Sequence, residues 1–254
     1  MARKYPQKDI KLLFMLSAGM CAFPGCPTRC VAKETEFDEA AVLALIAHIE
    51  AHSNEGPRPN PNLTEKERDS YPNWILLCGT HHDLIDAQSN TYTVEQIRKW
   101  KRDLEDKVDK QLREAMTQVT FTELEQVTEA IVNNSTKSTN SSDYEIIPPQ
   151  DKMQRNQLKD NITHQYLLMG MVQFPAVKEY IERITQLIPS FPAKLSGGFK
   201  EEYKRLKDEE ELLGDDLFLA MINFASPTGV DLKRHAAGIA VLTYLFSMCE
   251  VFEK

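Results

Sequence analysis

The sequence has no uninterrupted apolar run of about 18 residues, and this absence excludes an ordinary membrane-spanning helix. The apolar patch near the N-terminus is too short and too interrupted for an export signal. An excess of positive charge is also absent, because 30 Lys and Arg stand against 38 Asp and Glu, a formal net charge of −8. We therefore expect a cytoplasmic protein with no membrane partner and only a weak intrinsic affinity for polyanions.

Cysteine is scarce as well, with five in 254 residues. In a cytosolic chain of this length, so few cysteines do not form a disulfide framework. Cys21, Cys26, Cys30 and Cys78 all lie in the first part of the chain, which makes metal binding the first hypothesis for them. Cys249 lies in an apolar segment and is expected in a hydrophobic core.

A composition shift divides the chain. Residues 133–150 are rich in Ser, Thr and Asn and end near Pro148 and Pro149, which is typical of a solvated linker. We predict a first domain over 1–115, a connecting helix and polar linker over 116–150, and a second domain over 151–254. Residues 1–115 hold 16 Lys and Arg against 18 Asp and Glu, and 116–254 hold 14 against 20, so the acidic excess lies mainly in the second part.

Two short motifs have the spacing of metal-ligand pairs. One is Cys21-Ala-Phe-Pro-Gly-Cys26, and the other is Cys78-Gly-Thr-His81. Two such knuckles supply the four tetrahedral ligands of a closed zinc site. We assign Cys21, Cys26, Cys78 and His81 to a structural Zn²⁺, with Cys30 as the substitute for either of the first two. The alternative is that these are ordinary buried cysteines.

A second set of polar residues follows the order His, Asn, His. His48 lies in Ala-His-Ile, a Gly-Pro-Arg turn follows, and Asn73 precedes a Leu-Leu-Cys-x-x-His-His-x-x-Ile-Asp segment that holds His82 and Asp86. Over residues 12–105 this pattern resembles the HNH, or ββα-metal, nucleases. The resemblance implies a small zinc-stapled nuclease domain that hydrolyses DNA. Together with the helical pattern of the second domain, it predicts an α+β chain with an all-α C-terminal domain.

The chemistry of phosphodiester hydrolysis suggests a role for each residue. An imidazole has an ordinary pKa near ~6.5, so His48 can accept a proton from water at neutral pH as general base. The resemblance implies that Asn73 holds the His48 ring or helps at the metal. His82 and Asp86 are four residues apart on a predicted helix and can share one Mg²⁺ or Mn²⁺ ion. The alternatives are a core histidine for His48 and a surface charge for Asp86.

One position departs from the family pattern. Many HNH nucleases place a metal-binding residue directly before the base histidine, whereas this chain has Ala47, which has no ligand atom. The third protein ligand of the catalytic ion is therefore open, and we expect weak affinity for the free ion.

Three basic side chains are candidates for DNA contacts. Arg58 lies in the stiff Gly-Pro-Arg turn, which we expect to present the guanidinium outward. Thr93 and Gln96 form a capping-box sequence that starts an amphipathic helix, and Arg98 and Lys101 lie on its predicted polar face. The alternatives are a solvated loop arginine and a solvated charged face.

The pattern of the second domain predicts helices throughout, with breaks at Pro175, Pro189, Pro192 and Gly197-Gly198. Residues 236–252 are apolar nearly all round, which predicts a buried helix. No Gly-rich phosphate loop or second metal motif is present in this half of the sequence. The pattern therefore favours an interaction module.

This half is similar to the C-terminal domains of effectors in bacterial ABC-three-component conflict systems. The residues concerned are Gly198-Phe199, Glu202-Tyr203, the segment 214–218 and the ending 244–253. The resemblance implies an ATPase and an adaptor protein as partners in antiphage or anti-plasmid defence. The alternative is a helical domain that forms a homodimer and brings two active sites to one duplex.

The sequence thus favours a metal-dependent DNA endonuclease. A different class remains open, namely a zinc ribbon that binds DNA without cutting it, which Ala47 and the acidic balance favour. His48 and Asn73 discriminate between the two, because a ribbon requires neither. A third hypothesis is that the second domain senses a nucleotide signal. Its short length, acidic charge and helical pattern argue against this hypothesis.

Overall fold

The computed structural model describes residues 5–32, 35–38, 41–134, 149–226, 231–248 and 251–252. The chain divides into two compact units, Met1–Lys110 and Gln111–Lys254. Most of the predicted linker, and Cys249 as well, lie outside the described residues. None of the helices in the described part of the chain has the length and apolar character needed to cross a membrane.

The first unit mixes short strands with helices, and the predicted α+β class is confirmed. Two antiparallel pairs, β1 with β2 and β3 with β4, form two separate two-stranded sheets. In chain order the elements are α1 (Gln7–Leu16), β1 (Val31–Ala32), β2 (Ala41–Val42), β3 (Ala44–His48), α2 (Glu65–Arg68), a 3₁₀ turn (Tyr71–Asn73), β4 (Trp74–Cys78), α3 (Gly79–Ala87) and α4 (Val94–Met116), whose last turn belongs to the second unit.

The β3–β4 hairpin organises the first unit. In its register Ala44 lies opposite Cys78, and His48 lies opposite Trp74. The first four residues of β4 are buried because α1 and α3 pack against the strand, as expected from its continuous apolar run. Since a strand rises ~3.3 Å per residue, His48 and Cys78 lie at opposite ends of the hairpin, about 13 Å apart along the strand.

The start of α4 follows the predicted capping box. The amide N–H of Thr93 donates to the Gln96 side chain at 3.0 Å, and the amide N–H of Gln96 donates to the Thr93 hydroxyl at 3.4 Å. These bonds satisfy two backbone donors that a helix start leaves without intrahelical partners. Ile97, on the apolar face of the helix, is fully buried in the core of the first unit.

The described part of the second unit is all helical. After the last turn of α4 it contains α5 (Phe121–Asn134), α6 (Pro149–Arg155), α7 (Asn161–Met171), α8 (Phe174–Leu187), α9 (Phe191–Asp208), α10 (Gly214–Ala225) and α11 (Leu232–Ser247). Helix α5, which the sequence placed in the connecting segment, packs against α8, α9 and α11 within this unit. A buried hydrogen bond of 2.9 Å joins the hydroxyls of Thr128 in α5 and Tyr180 in α8.

Proline marks the helix starts as expected, but one predicted break is wrong. Pro175 and Pro192 lie in the first turns of α8 and α9, where a missing N–H costs nothing. Gly197 and Gly198 lie inside α9 and are buried together with Ser196. Three successive small residues leave room for neighbouring helices, and tertiary packing outweighs the low helix propensity of glycine.

Helix α11 is the buried centre of the second unit. Every residue from 236 to 247 is buried, which agrees with the apolar pattern. The helix packs against α5, α7, α8 and α10. A helix enclosed in this way leaves no room for larger side chains at its closest contacts.

Gly170 is one such close contact. A Cβ atom at this position of α7 would lie 2.2 Å from the Oγ1 of Thr243 and 3.0 Å from the carbonyl oxygen of Ile239 in α11. At an exposed helical site Gly→Ala stabilises by roughly 1 kcal/mol, but overpacking here should make Gly170→Ala destabilising by about 3 kcal/mol. Urea unfolding followed by far-UV circular dichroism measures the change.

The matched control is Leu168→Ala on the same helix. Leu168 is 60% exposed, so its truncation should change the free energy of unfolding by no more than about 0.5 kcal/mol. A Gly170→Ala protein that is more stable than wild type would contradict the close packing of α7 and α11.

Candidate metal centre and active site

Three cysteines and one histidine of the first unit converge on one point. The ligand atoms of Cys21, Cys26, Cys78 and His81 all lie within 4.8 Å of one another. The Nδ1 atom of His81 is 3.5 Å from the sulfur of Cys21 and 3.2 Å from that of Cys78. Three thiols and an imidazole form a donor set that zinc prefers, so this group could hold a metal ion such as Zn²⁺.

Local structure brings the two knuckles together. Gly25 has a φ of +75°, a left-handed conformation that closes the turn between Cys21 and Cys26 at little cost. The amide N–H of Ala22 donates to the carbonyl of Leu76 at 2.9 Å, which ties this turn to β4. The second knuckle forms where β4 ends at Cys78 and α3 begins.

An aromatic ring supports the histidine ligand. The rings of Phe23 and His81 stack with centroids 3.9 Å apart and planes 2° from parallel. Trp100, in α4, meets Phe23 edge to face at a centroid distance of 5.0 Å. The first knuckle is therefore packed between α3 and α4, and it fixes the orientation of the imidazole.

The pKa values of the thiols indicate that a bound cation is needed to keep the cluster in the thiolate form. Burial raises the pKa of Cys21 to about 12. Burial also acts to raise the pKa of Cys26, but hydrogen bonds from Thr28 and neighbouring thiols bring it below its ordinary value. A bound cation supplies the positive charge that stabilises thiolates.

Cys30 does not belong to the cluster. It is fully buried in the hydrophobic core, where burial raises its pKa to about 11. Cys30 is therefore a core residue in the structure, and no substitution of ligands is needed.

His48, the predicted base, lies at the opposite end of the hairpin. Its Nε2 atom is 3.0 Å from the Oδ1 of Asp69, and the two side chains are 15% and 18% exposed. The rings of Tyr5 and Trp74 lie 6.1 and 6.4 Å from the His48 ring, and that of His52 lies 5.8 Å away. The imidazole of His48 is thus surrounded by aromatic rings and has one carboxylate beside it.

Asn73 holds the chain near His48 rather than the His48 ring. Its Oδ1 accepts the amide N–H of Glu50 at 2.9 Å, and its Nδ2 donates to the carbonyls of Glu50 and Arg68 at 2.9 and 3.1 Å. The residue is buried, and these bonds satisfy its amide. Asn73 therefore fixes the backbone that follows β3, whereas Asp69 contacts the His48 ring.

Arg58 points inward, and the prediction of an outward-facing guanidinium is wrong. Its side chain is 4% exposed. The Nε atom donates to the carbonyl of Ile49 at 2.9 Å, Nη1 donates to that of Ile85 at 2.6 Å, and Nη2 lies 2.7 Å from the Oδ1 of Asp86. The carbonyl oxygens after β3 and at the end of α3 need donors when buried, and this guanidinium provides them.

His82 and Asp86 both lie on α3, as predicted. The Nδ1 of His82 is 3.2 Å from the Oδ1 of its exposed neighbour Asp83, while Asp86 is paired with Arg58. Among the described residues, the Cys–His cluster is the only group of three or more His, Cys, Asp or Glu side chains with metal-binding spacing. His82 and Asp86 belong to no such group.

The two candidate DNA contacts on α4 also have internal partners. Arg98 forms an ion pair with Glu50, whose side chain is nearly buried. Lys101 is buried, lies 3.6 Å from the centre of the Tyr71 ring, and is 2.9 Å from the Oε1 of Glu105. Burial lowers the pKa of Lys101, against the effect of Glu105. Lys101 therefore does not lie on the exposed face of the helix.

No protein-family model matches the sequence, and a search of curated proteins found no similar protein.

Proposed function

We propose that the chain is a metal-dependent endonuclease of the HNH type that hydrolyses phosphodiester bonds of DNA in the cytoplasm. The observation that carries the proposal is the placement of His48 at the end of a β-hairpin that continues directly into the helix of His82 and Asp86. An antiparallel strand pair followed directly by a helix with two ligand-type side chains supports the ββα arrangement that the HNH resemblance implies. The Cys–His cluster, at the far end of the hairpin, binds the structural zinc ion that holds this domain together.

His48 acts in this proposal as general base. Its imidazole takes a proton from a water molecule, the oxygen of that water attacks the phosphorus, and the bond from phosphorus to the 3′ oxygen breaks. The departing oxygen receives a proton from solvent, so the products are a 5′ phosphate and a 3′ hydroxyl. In this step no covalent bond to the protein forms.

His82 and Asp86 would bind Mg²⁺ or Mn²⁺ next to the scissile phosphate. Such a cation, when bound, stabilises the negative charge that develops on the phosphate and the departing oxygen. The residues fit this ion because Asp86 is about one-third exposed and Mg²⁺ sites in proteins commonly keep several waters. Two protein ligands, one of them paired with Arg58, are expected to give weak affinity for the free ion.

A plasmid assay tests the function directly. The zinc-loaded wild-type chain is incubated with supercoiled plasmid in Mg²⁺, Mn²⁺ or EDTA, beside a His48→Ala control. We expect open-circular or linear DNA with either divalent ion, and intact plasmid with EDTA or the variant. Cleavage that persists in EDTA, or in the variant, would contradict the proposed chemistry.

A second candidate is a zinc module that binds DNA without cutting it. It is favoured by the observation that His82 and Asp86 belong to no preassembled group of three ligands among the described residues. In that case a labelled duplex shifts in a gel, while plasmid stays supercoiled under every metal condition.

For the second unit we propose a role in assembly with an ATPase and an adaptor of a defence complex. Two observations support the proposal: the described part of this unit is all helical, and a groove of about 410 Å³ lies beside the exposed Leu168 of α7 and Val172, which directly follows that helix. Exposed apolar residues beside a groove are typical of interaction surfaces. Light scattering of the purified chain, alone and after co-expression with the two proposed partners, distinguishes this assembly from a homodimer.

A further inference from the structure

The His48 ring has a hydrogen-bond partner that the sequence does not suggest. Asp69 is 21 positions further along the chain, yet its Oδ1 lies 3.0 Å from the Nε2 of His48. Asn73, the residue expected at this place, directs its amide to backbone groups of Glu50 and Arg68. The contact to the base is thus made by a carboxylate.

We propose that Asp69 is the positioning residue of the base: it holds the His48 ring with the proton on Nε2, so that Nδ1 is the nitrogen that takes the proton from water. This inference rests on the proposed nuclease function. An ionised carboxylate only accepts hydrogen bonds, so the imidazole nitrogen that faces it must carry the hydrogen. In a neutral ring the other nitrogen then has the free lone pair.

The contact between Asp69 and His48 also stabilises the state that forms after the proton of water has moved to His48. Once Nδ1 has accepted a proton, the ring is an imidazolium with a positive charge. The carboxylate of Asp69 next to it stabilises that charge, and the limited exposure of both side chains reduces screening by solvent. Asp69 therefore favours the state that proton transfer produces.

The turn that carries Asp69 is built to hold it in place. The side chain of Thr64 caps α2 in a reciprocal capping box with Glu67. At the other end of the helix, the amide N–H of Asp69 donates to the carbonyl of Glu65 at 3.1 Å. A short helix fixed at both ends presents the carboxylate in a defined direction.

Arg68, directly before Asp69, anchors this turn to the loop that follows β3. Its buried guanidinium donates to the carbonyls of His52 and Asn60, each at 2.9 Å, and its Nε donates to that of Leu63 at 3.1 Å. Asn73 in turn donates to the carbonyl of Arg68 at 3.1 Å. Supporting hydrogen bonds of this kind keep a functional side chain within a fraction of an ångström of its required position.

The test is to read the tautomer of His48 directly and the cleavage rate beside it. ¹⁵N-labelled full-length protein, loaded with zinc, is prepared as wild type, Asp69→Asn, Asp69→Ala and Asp103→Asn. Asp103 is an exposed carboxylate on α4 that pairs with Lys99, so its variant is the control for loss of one charge in the same unit. Two-bond ¹⁵N–¹H correlation spectra at about pH 8, where an ordinary histidine is neutral, distinguish the protonated ring nitrogen from the free one.

We expect wild type and Asp103→Asn to carry the proton on Nε2. In Asp69→Asn the carboxamide can donate to Nε2, so the proton should shift toward Nδ1. In Asp69→Ala the ring loses this partner, and its signals should show a mixture of the two tautomers. Plasmid cleavage should fall roughly 10- to 100-fold in both Asp69 variants, as for other residues that orient a functional side chain. Affinity for DNA should stay unchanged, because Asp69 acts on the chemical step.

The spectra alone decide the positioning role. A wild-type ring protonated on Nδ1, or a tautomer that is the same in wild type and both Asp69 variants, would overturn the inference. A role of Asp69 only in folding predicts a lower melting temperature with an unchanged tautomer, which also overturns it. If wild type shows the expected tautomer but cuts no DNA with any cation, the nuclease proposal fails while the Asp69–His48 arrangement stands.

Discussion

Cys78→Ser is expected to abolish stable zinc binding and the cooperative unfolding transition of the unit Met1–Lys110. Cys78 is the point where β4 meets α3, and its sulfur is 3.2 Å from His81. Structural zinc binding contributes about 10–16 kcal/mol of apparent free energy in small zinc domains, as much as or more than a typical domain's whole stability. Removal of zinc from wild type by a strong chelator should have the same effect.

Metal analysis and thermal unfolding measure this outcome, and Cys30 provides the matched control. Cys30→Ala removes a buried thiol of the same unit that is outside the cluster. We expect this variant to keep one zinc per chain and to lose only about 1 kcal/mol of stability. If Cys78→Ser retained zinc and its melting temperature, or if Cys30→Ala lost the metal, the assignment of the four ligands would be wrong.

The metal cluster could be predicted from the sequence because its ligands come in local pairs. Cys21 and Cys26 are joined by one turn, and Cys78 and His81 by the start of one helix. The spacing within each pair determines how its two ligand atoms are placed. Only the approach of one pair to the other depends on the fold. The start of the long helix α4 could be predicted for the same reason, because its capping box and apolar period lie within one short segment.

The orientations of the basic residues could not be predicted in the same way. Arg58 lies in a Gly-Pro-Arg turn that is typical of a solvated loop, yet buried carbonyls of Ile49 and Ile85 draw its guanidinium inward. Lys101 lies next to charged residues in the sequence, yet Tyr71 and Glu105 cover it. In each case a distant segment provides the partner, and a local pattern carries no information about that segment.

Asp69 is the clearest example of this limit. It stands in an Arg-Asp-Ser run that has the composition of an exposed turn, and nothing in its neighbours indicates a contact with His48. The contact arises because the anchored turn after α2 leads back to the end of β3. For this reason the sequence leads to the hypothesis that His48 is the base but carries no signal for its contact with Asp69.

His48→Ala is expected to lower the cleavage rate by about 10²- to 10⁴-fold, the usual contribution of a general base. The ring is partly exposed and lies outside the main core, so its loss should leave zinc content and DNA affinity near those of wild type. His48→Gln, which keeps most of the side-chain volume but cannot act as a base at neutral pH, separates loss of chemistry from loss of packing. Both variants are compared with wild type in single-turnover cleavage of a labelled duplex at saturating protein.

His52→Ala is the control for this prediction, since its exposed ring lies 5.8 Å from that of His48 and has no assigned role in the chemistry. We expect it to keep its rate within a few-fold of wild type. Added imidazole should restore part of the activity of His48→Ala, because the small base can enter the space that the side chain leaves. A His48→Ala protein that cuts as fast as wild type, or a His52→Ala protein that is as inactive as the His48 variants, would show that the proton is accepted elsewhere.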